Sequence, residues 1–433
     1  MTQLRYNIVE DLRWRGQIQD MTPGVEEQLN KESTSVYIGF DPTADSLHVG
    51  SLAQIVLLKR LQLAGHKPFA LVGGATGMVG DPSGKSEERN LLDETILQHN
   101  LDCLKKQLAQ FLDFEGNAAN SAELVNNYEW FKDFNILEFL RDVGKYLTVN
   151  YMLSKDSVKN RLERESGISF TEFTYQLIQG YDFYWLYANK GVKVQMGGSD
   201  QWGNIVTGTE LVGRKTGGKA YAITIPLVMK SDGTKFGKTA SGNVWLDARL
   251  TSPYQFYQFW LNQTDEDAAK YVRYFTFLPH DVVENLEKQH AEAPHLRLLQ
   301  KTLAQELTVW VHGQQEYDQA VQASEILFGK ANVEMLRQLP EATLLDVMSG
   351  VPKYSIPADE WNAGINIVSL LSEKTDILPS KTETRKALQS NSISLNQTKI
   401  VDANHLVSSA DLLNDKYLLV QKGKKNYYLI GRD

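Results

Sequence analysis

The sequence predicts an α/β protein with a mostly parallel sheet, followed by a helical region and a small basic module. Apolar runs at 36–40, 69–72, 192–196 and 221–228 have the length of buried strands, and Gly-containing sequence follows the first three. Helix-period segments lie between these runs, and the repetition of strand, glycine turn and helix is typical of parallel sheets covered by helices. Because ligands collect at the carboxyl ends of such strands, we expect the glycine-containing segments to form one composite site.

Length and composition place the chain among ordinary globular proteins. It has 433 residues, 42% apolar and 23% charged, which excludes collagen-like, disordered and disulfide-stapled classes. At this length two or three domains are expected. Cys103 is the single cysteine, so no intrachain disulfide can form and a reducing compartment is expected. The amino terminus does not have the pattern of a signal peptide, and no apolar run is long enough to predict a membrane span.

The pattern changes after about residue 250, where helix signals replace strand signals. Ser252-Pro253 is a good helix start, because a capping hydroxyl precedes a proline at the first helical position. Thr264 precedes three acidic residues and predicts a second helix start, since acids are favourable in the first turn. A stretch that contains glycine and proline at 350–357 indicates a linker.

Basic charge is concentrated at the carboxyl-terminal end. Residues 381–433 hold nine Lys/Arg and five Asp/Glu, a net charge of +4 in a chain whose formal net charge is −8. The runs 417–421 and 426–430 flank a lysine-rich turn and predict a β-hairpin whose tip suits phosphate contact. A solvated basic tail that aids solubility is the alternative interpretation.

Several segments resemble common catalytic motifs without matching them. Segment 73–86 is close to a phosphate-binding loop, but Val79 stands where that motif needs glycine. Segment 197–201 fails the nucleophile elbow because it ends on Gln201. The chain has no G-x-G-x-x-G fingerprint, and its eight His show no paired spacing typical of metal ligands. Dinucleotide-binding, hydrolase and zinc-dependent classes therefore lose support.

Two segments predict anion binding. Asp45 and Ser46 are expected to cap a helix that begins near His48, which would place an imidazole and backbone amides at the positive end of a helix. Lys235 and Lys238 are expected to form a mobile positive clamp that neutralises charge developing on a leaving pyrophosphate. Each pattern alone is also typical of an exposed, solvated surface.

These segments resemble the bacterial-type tyrosyl-tRNA synthetases, which are class I aminoacyl-tRNA synthetases. Five segments match in order, namely YIGFDPTADSLHVG (37–50), LVGGATGMVGDPSGKS (71–86), SFTEFTYQLIQGYDF (169–183), VQMGGSDQWGN (194–204) and KFGKT (235–239). The combination of GFDPTADSLH with GGSDQWGN is specific to this family. The chain departs from the class signature at Ser51, which stands where a second His is usual.

The resemblance implies a Rossmann-like doubly wound parallel sheet catalytic domain, an all-α anticodon-binding domain and a small α+β RNA-binding module. The expected boundaries are 1–228 for the catalytic domain with its tyrosine site, ATP site and dimer interface, 229–250 for the KFGKT loop and linker, 251–335 for the helical domain, 336–360 for a second linker and 361–433 for a ribosomal-protein-type RNA-binding module. Asn391 stands where that module usually has glycine, and Asn also tolerates a left-handed backbone.

The function that the resemblance implies is tyrosine–tRNA ligation. The enzyme would activate L-tyrosine with ATP to tyrosyl-adenylate and pyrophosphate, and would then transfer tyrosine to the 3′-terminal adenosine of tRNA(Tyr). It is expected to be a cytoplasmic homodimer without membrane contact or a tightly bound cofactor, and ATP would enter as a substrate with Mg²⁺. An apolar surface around Trp130, Phe131, Phe134 and Phe170 is the expected dimer contact.

Two alternatives remain open on the sequence alone. The chain could be an RNA-binding protein that kept the fold and lost aminoacylation, although Lys235, Lys238 and His48 are intact. It could also use another amino acid, notably tryptophan, or be another adenylating nucleotidyltransferase. Tyr37 and Asp182 favour tyrosine, because two oxygen groups directed at a para-hydroxyl have no matching use for an indole.

The resemblance also implies which residues form the site. The expected catalytic residues are Thr43, His48, Lys235, Lys238 and Thr239. The residues expected to bind tyrosine are Tyr37, Asp81, Tyr175, Gln179, Asp182, Gln195 and Gln201, with Tyr37 and Asp182 at the phenolic hydroxyl. The residues expected to bind ATP are Gly39, Asp41, His48, Ser51, Lys85, Arg89, Gly198, Asp200 and Lys238. No residue is expected to bind a resident metal.

Overall fold

A computed structural model describes residues 6–83, 93–115, 118–163, 167–234, 236–239, 242–328, 336–337, 339–348, 351–423 and 426–433. The chain divides into two compact units, Met1–Thr251 with Phe259–Val311 and Ser252–Gln258 with His312–Asp433. Within the described ranges, no helix combines the length and the apolar character needed to cross a bilayer. The predicted fold class is confirmed, whereas the finer division into five segments stays a prediction.

A six-stranded sheet forms the centre of the first unit. Its strands are β1 (Asp20–Met21), β2 (Ser35–Phe40), β3 (Lys67–Val72), β4 (Glu123–Asn126), β5 (Val192–Gly198) and β6 (Tyr221–Ile225). Their order is β1-β6-β5-β2-β3-β4, and all neighbours pair in parallel except β1, which is antiparallel to β6. β6 is buried along its whole length, as expected for a parallel strand covered on both faces.

The four predicted strands are therefore present. The fourth ends at Ile225, earlier than the predicted residue 228, because Pro226 has no N–H to continue the ladder. Two further strands of two residues each, β7 (Lys238–Thr239) and β8 (Gly242–Asn243), pair antiparallel.

Helices connect and cover these strands. Those before residue 250 are α1 (Ile8–Trp14), α2 (Val25–Lys31), α3 (Val49–Ala64), α4 (Thr76–Val79), α5 (Glu94–Phe111), α6 (Tyr128–Phe131), α7 (Ile136–Asp142), α8 (Val149–Leu153), α9 (Asp156–Leu162), α10 (Phe170–Lys190) and α11 (Trp202–Thr216). α3 connects β2 to β3 and α11 connects β5 to β6, so both connections are the crossover helices of a doubly wound sheet.

The region after residue 250 is helical, as predicted. Its helices are α12 (Pro253–Leu261), α13 (Asp265–Phe275), α14 (His280–Glu292), α15 (Leu298–His312) and α16 (Gln314–Phe328). The Ser252 hydroxyl accepts a hydrogen bond from the Gln255 N–H at 3.1 Å, and the Thr264 hydroxyl accepts one from the Asp267 N–H at 3.1 Å. Both predicted helix starts are therefore confirmed.

The second unit contains a five-stranded sheet. Its strands are β9 (Lys353–Ile356), β11 (Ile393–Leu395), β12 (Thr398–Lys399), β14 (Tyr417–Lys422) and β15 (Asn426–Arg432), in the order β12-β11-β14-β15-β9. β10 (Ile365–Asn366) pairs separately with β13 (Leu406–Val407). Further helices are Glu341–Val347, Ala358–Ala363, Ile367–Ser372 and Lys381–Gln389. The predicted hairpin is β14–β15, and Asn391 has the expected left-handed backbone, with φ of 57°.

Candidate active site

A cavity of about 570 Å³ opens at the carboxyl ends of the central strands in the first unit. β2 lies between β3 and β5 in the sheet, and the chain reaches these two neighbours through crossovers that lead in opposite directions. The cavity therefore occupies the switch point of a doubly wound sheet, where such folds bind their ligands. Segments that follow β2, β3 and β5 line it together, so the expectation of one composite site is confirmed.

The cavity brings together the predicted site residues that the structure describes with their side chains. They are Tyr37, Gly39, Asp41, Thr43, His48, Ser51, Asp81, Tyr175, Gln179, Asp182, Gln195, Gly198, Asp200 and Gln201. Lys85, Arg89 and Lys235 lie outside the described residues. For Lys238 and Thr239 the backbone forms β7, and the neighbouring Gly237 and Asn243 line the cavity.

Buried polar groups line the inner end of the cavity. Tyr37 on β2 stands beside Gln195 on β5 in the strand register, and the two residues are 1% and 2% exposed. Among the residues that the structure describes, neither the Tyr37 hydroxyl nor Gln195 Oε1 has a hydrogen-bond partner. Buried polar atoms are nearly always paired in native proteins. Two such atoms at one cavity wall therefore indicate a polar ligand.

Asp182 faces the same inner end from α10. Its Oδ1 accepts a hydrogen bond from the Trp130 indole at 2.8 Å, and its Oδ2 accepts one from the Asn127 amide at 3.1 Å. Burial raises the pKa of the Asp182 carboxyl to about 8, and the two donors offset only part of this increase. Burial also raises the pKa of the Tyr37 hydroxyl well above its usual value, with a contribution from Asp182.

A chain of hydrogen bonds connects the inner end to the middle of the cavity. The Asn127 amide donates to Asp182 and also to Thr76 Oγ1, at 3.1 Å. The Thr76 hydroxyl donates to Asp41 Oδ1 at 2.7 Å, and the Tyr175 hydroxyl donates to Asp41 Oδ2 at 3.0 Å. These bonds hold Asp182, Asp41 and Tyr175 in one fixed arrangement, which is the preorganisation that a selective site needs.

Tyr175 and Asp81 form the polar middle of the cavity. Burial raises the pKa of the Tyr175 hydroxyl well above its usual value, and Asp41 and Asp81 add to the increase. Asp81 accepts hydrogen bonds from the Ser83 N–H at 2.9 Å and from the Gln201 amide at 2.7 Å. This concentration of carboxylate and phenol oxygens suits a cationic group such as an ammonium.

The outer part of the cavity is formed by the start of α3. His48 is the N-cap residue of this helix, and its Nδ1 accepts a hydrogen bond from the Gly50 N–H at 3.0 Å. In a neutral ring the proton is then on Nε2, so that nitrogen is a donor. Gly50 and Ser51 line the cavity at the positive end of a 16-residue helix, which favours an anion there.

The predicted capping role of Asp45 and Ser46 is therefore wrong. Ser46 Oγ donates to the Leu47 carbonyl at 2.8 Å and accepts from the Gln107 amide at 2.9 Å, so its hydroxyl does not bond the first turn of α3. His48 takes the capping position because its own ring nitrogen reaches the second N–H of the helix.

The lysine-containing loop begins on the surface of α13. The Ser231 N–H donates to Asp267 Oδ1 at 2.9 Å, and the Tyr271 hydroxyl donates to the Met229 carbonyl at 3.3 Å. The Phe236 ring is 8% exposed and packs 4.9 Å from the Tyr271 ring and 5.4 Å from the Phe275 ring. Phe236 lies between Lys235 and Lys238 in sequence, so its burial anchors the chain at that one position.

The same loop ends against the segment that contains His48. The Val49 N–H donates to the Val244 carbonyl at 2.9 Å, and the Leu246 N–H donates to the Leu47 carbonyl at 2.8 Å. The His48 and Trp245 rings meet edge to face, with centroids 6.0 Å apart. The segment that contains His48 is thus joined by backbone hydrogen bonds to the residues that follow the two lysines in sequence.

Sequence reasoning missed the residues that support the site. Thr76 and Asn127 were not singled out, although Thr76 lies inside segment 71–86. Trp130 was expected on an exposed apolar surface, but it is 9% exposed, donates to Asp182 and stacks on Trp185. An indole N–H that can pair with a buried carboxylate gains more inside the core than an exposed ring does at the surface.

A metal-binding site is not found in the part of the chain that the structure describes. No cluster of three or more His, Cys, Asp or Glu side chains has a metal-binding arrangement there. The site instead combines buried oxygens that no described residue pairs, a carboxylate of raised pKa and a helix N-terminus. It is built for a ligand that is phenolic or hydroxylated at one end and anionic at the other.

Two protein-family models match the chain. The model described as tRNA synthetases class I (W and Y) matches residues 29–329, and that of the tyrosine–tRNA ligase SYY-like C-terminal domain matches residues 344–430. Among curated relatives, the tyrosine–tRNA ligase of Porphyromonas gingivalis is 61% identical over 98% of this chain and 99% of its own length. The tyrosine–tRNA ligase of Bacteroides fragilis is 59% identical over the same shares.

Solved structures show the same likeness. A C-terminally truncated mitochondrial tyrosyl-tRNA synthetase of Aspergillus nidulans has a TM-score of 0.67 and 32% identity, covering 75% of this chain and 95% of that one. A tryptophanyl-tRNA synthetase of Encephalitozoon cuniculi has a TM-score of 0.51 and 12% identity, covering 72% of this chain and 86% of that one. The second comparison shows a shared fold only.

Proposed function

The chain belongs to the tyrosine–tRNA ligase family of class I tRNA synthetases, and we propose that the cavity of the first unit is where it activates tyrosine. A ligase of this family joins L-tyrosine to ATP, which gives tyrosyl-adenylate and pyrophosphate, and then transfers tyrosine to the 3′-terminal adenosine of tRNA(Tyr). The first reaction needs the amino acid and the nucleotide to lie end to end in one cleft, and the second uses the adenylate that forms there.

One observation carries the assignment of the amino-acid end. The Tyr37 hydroxyl, which no described residue pairs, and the Asp182 carboxyl stand at the inner end of the cavity. A phenolic hydroxyl placed there would donate to Asp182 and pair with Tyr37. Phenylalanine would leave these buried groups unpaired, which costs about 1–3 kcal/mol for each group. A site that pairs the hydroxyl of its substrate rejects an analogue without it, as tyrosyl-tRNA synthetases are known to do, so no separate editing site is expected.

The ammonium of tyrosine belongs in the polar middle of the cavity. Asp81, Tyr175 and Gln179 line that part, and Tyr175 and Gln179 lie one helical turn apart on α10. A positive charge there would be paired with the Asp81 carboxylate and with oxygen acceptors. Gln195 and Gln201 complete the walls on the β5 side, from which they would contact the ring and the carboxylate of tyrosine.

Catalysis of the first reaction is mainly a matter of positioning and charge. The tyrosine carboxylate attacks the α-phosphorus in line, a new P–O bond forms, and the bond between the α-phosphorus and the bridging oxygen breaks as pyrophosphate leaves. An ionised carboxylate needs no general base. The protein therefore has to hold the reacting groups in line and stabilise the negative charge that develops on the phosphates.

The outer part of the cavity would bind the nucleotide. We assign Thr43 and His48 to the triphosphate, because His48 Nε2–H is a donor there and the positive end of α3 favours an anion. Adenosine would contact Gly39, Asp41, Ser51, Gly198 and Asp200. Lys235, Lys238 and Thr239 would engage the pyrophosphate in the transition state, assisted by Lys85 and Arg89. Mg²⁺ would enter with ATP as part of that substrate.

The test of this function is amino-acid-dependent exchange of pyrophosphate into ATP. We expect exchange with tyrosine and none above background with phenylalanine or tryptophan, because only tyrosine satisfies the inner end of the cavity. Exchange driven by tryptophan and not by tyrosine would contradict the assignment. A chain that binds tRNA but catalyses no exchange would contradict an enzymatic function altogether.

The carboxyl-terminal unit is proposed to bind tRNA(Tyr) together with the helices of 251–335. Arg385 and Lys399 are exposed in the module of 361–433 that carries the excess of basic charge. Replacing both with Glu should raise KM for tRNA in aminoacylation at least tenfold and reduce its salt dependence, because each lost phosphate contact lowers the salt slope by about one. Exchange without tRNA should be unchanged, and an unchanged KM for tRNA would contradict the proposal.

A homodimer is proposed from an exposed apolar surface of the first unit. No residue of α7 is buried, and Ile136, Leu137 and Leu140 on this helix are 65%, 74% and 51% exposed. Phe170 at the start of α10, which the sequence singled out, is also 75% exposed. Monomers rarely leave so many large apolar side chains in water.

The dimer can be tested by introducing charge into this surface. Leu137→Glu should shift the protein from dimer to monomer in analytical ultracentrifugation at micromolar concentration, because an unpaired carboxylate in an apolar interface is strongly unfavourable. Leu296→Glu, at another exposed leucine, is the matched control and should leave the dimer intact. A wild-type protein that sediments as a monomer would contradict the proposal.

The cytoplasm is the compartment we propose for the protein. Its proposed substrates, ATP and tRNA, are present there, and its single cysteine needs no oxidising environment.

A further inference from the structure

Two buried amide side chains of α5 hold the loop that connects β2 to α3. Gln107 Oε1 accepts a hydrogen bond from the Leu47 N–H at 2.8 Å, and Gln107 Nε2 donates to Ser46 Oγ at 2.9 Å. Asn100 Nδ2 donates to the Pro42 carbonyl at 3.0 Å. Gln107 and Asn100 are only 8% and 4% exposed, so these bonds are shielded from water.

The spacing of the two amides matches the loop that they hold. Asn100 and Gln107 are seven residues apart on α5, which places them on the same face and about 10.5 Å apart along the helix axis. They contact the beginning of the loop at Pro42 and its end at Leu47. Between these two points the chain carries Thr43, and the residue that follows is His48.

Gln107 also stands where the loop meets the segment that follows the lysines. Ser46 Oγ, to which Gln107 donates, accepts a further hydrogen bond from the Asp247 N–H at 3.2 Å. The adjoining Leu246 N–H donates to the Leu47 carbonyl at 2.8 Å. A single side chain of α5 thus contacts the backbone of the one segment and, through Ser46, the backbone of the other.

We propose that Gln107 is a positioning residue for the activation of tyrosine, with Asn100 as a second support of the same loop. Neither residue lines the cavity, so both act through Thr43 and His48. This inference rests on the proposed function, which assigns those two residues to the triphosphate of ATP. It adds that their placement depends on α5, which lies outside every segment that carries the family resemblance.

The physical reason is the backbone group that Gln107 satisfies. Without its carbonyl oxygen the Leu47 N–H would be buried and unpaired, and the loop could recover the lost bond only by moving toward water. A displacement of about 1 Å at groups that align reactants lowers a rate about 100-fold. The inner end of the cavity, where tyrosine would bind, has no contact with Gln107 in the described structure and should be unaffected.

The first experiment is the replacement Gln107→Met in the full-length protein. Methionine keeps the length of the side chain and removes both hydrogen bonds. We expect kcat for tyrosine-dependent pyrophosphate exchange to fall about 10- to 100-fold, with the Kd for tyrosine changed less than about twofold. Gln98→Met, an exposed position on the same helix, is the matched control and should leave both quantities unchanged. An unchanged kcat in Gln107→Met would overturn the inference.

A double-mutant cycle with His48→Ala separates positioning from loss of stability. If Gln107 acts through the loop, Gln107→Met should lower kcat much less in the His48→Ala background than in the wild type. Equal losses in both backgrounds, or a Kd for tyrosine that rises in step with the loss of kcat, would overturn it. If Gln107→Met does not fold, Ser46→Ala enters the same cycle: it keeps the bond between Gln107 and the Leu47 N–H and removes the bonds of the Ser46 hydroxyl to Gln107, Asp247 and the Leu47 carbonyl. Absent exchange in the wild type would instead overturn the proposed function.

Discussion

Replacing Asp182 with Ala is expected to lower kcat/KM for tyrosine activation about 10²- to 10³-fold. The change removes the carboxyl that would pair with the phenolic hydroxyl and leaves the Trp130 indole and the Asn127 amide without their buried acceptor. A hydrogen bond to a charged group contributes about 1.5–3 kcal/mol, and each buried donor left unpaired adds about 1–3 kcal/mol. Pyrophosphate exchange measured over a range of tyrosine concentrations gives this value.

The loss should be selective for tyrosine. In Asp182→Ala the ratio of kcat/KM for tyrosine to that for phenylalanine should fall along with activity, because the group that recognises the hydroxyl is gone. Asp281→Ala, at an exposed position outside the cavity, is the control and should match the wild type. If both variants behave alike, or if the ratio in Asp182→Ala stays at its wild-type value, the assignment of Asp182 is wrong.

The raised pKa of Asp182 also predicts that the affinity for tyrosine depends on pH. Before tyrosine binds, burial holds this pKa at about 8, so the carboxyl is mostly protonated at neutral pH. A phenolic hydroxyl that donates to the carboxylate favours the ionised form and lowers the pKa, so tyrosine binding should release a proton. The affinity for tyrosine should therefore rise from pH 6 to about pH 8 and then level off. Calorimetry in buffers of different ionisation enthalpy should detect the released proton in the wild type and not in Asp182→Ala.

Replacing Lys238 with Ala should slow the formation of tyrosyl-adenylate about 10²- to 10³-fold, which is the usual cost of removing a group that stabilises charge in a transition state. The Kd for tyrosine should stay within about twofold, because Lys238 would act only on the phosphates. Stopped-flow or quenched-flow measurement of a single turnover separates the two quantities. The rate and the Kd together therefore report whether the lysine acts in the transition state alone.

Two further variants complete this test. Lys288→Ala, at an exposed lysine of α14, should leave both the rate and the Kd unchanged. Lys238→Arg keeps the positive charge but changes its geometry, and it should recover part of the lost rate. A large loss of tyrosine affinity in Lys238→Ala would show that the lysine acts on the ground state and would contradict the assigned role.

Local sequence patterns were sufficient for the strands and for the polar face of α10. Glycine-terminated apolar runs predicted β2, β3 and β5, because short apolar runs that alternate with helix-period segments are typical of buried parallel strands. Tyr175, Gln179 and Asp182 stand at i, i+4 and i+7 in the sequence, a spacing that places them on one face of α10, and all three residues line the cavity. These features depend on neighbours in sequence, so a single sequence contains them.

The supporting residues depend on contacts between distant parts of the chain. Asn127 reaches Asp182 across 55 positions, and Gln107 reaches Leu47 across 60. No local pattern distinguishes these amides from others on the same helices or loops. Trp130 was predicted to lie on an exposed contact surface but is buried, and the reason is the same. An aromatic run predicts apolar contact, but it does not reveal the buried carboxylate that an indole N–H can reach.

The central claim is that one cavity holds the phenolic oxygen of tyrosine at its inner end and the nucleotide at its outer end. A crystal structure with a stable analogue of tyrosyl-adenylate tests this claim most directly. We expect the phenolic oxygen to lie about 2.7 Å from both the Asp182 carboxyl and the Tyr37 hydroxyl, the usual length of an O–H···O hydrogen bond, with adenosine near Gly39 and Asp200. An analogue bound in the reverse direction, or with its ring away from Asp182, would contradict it.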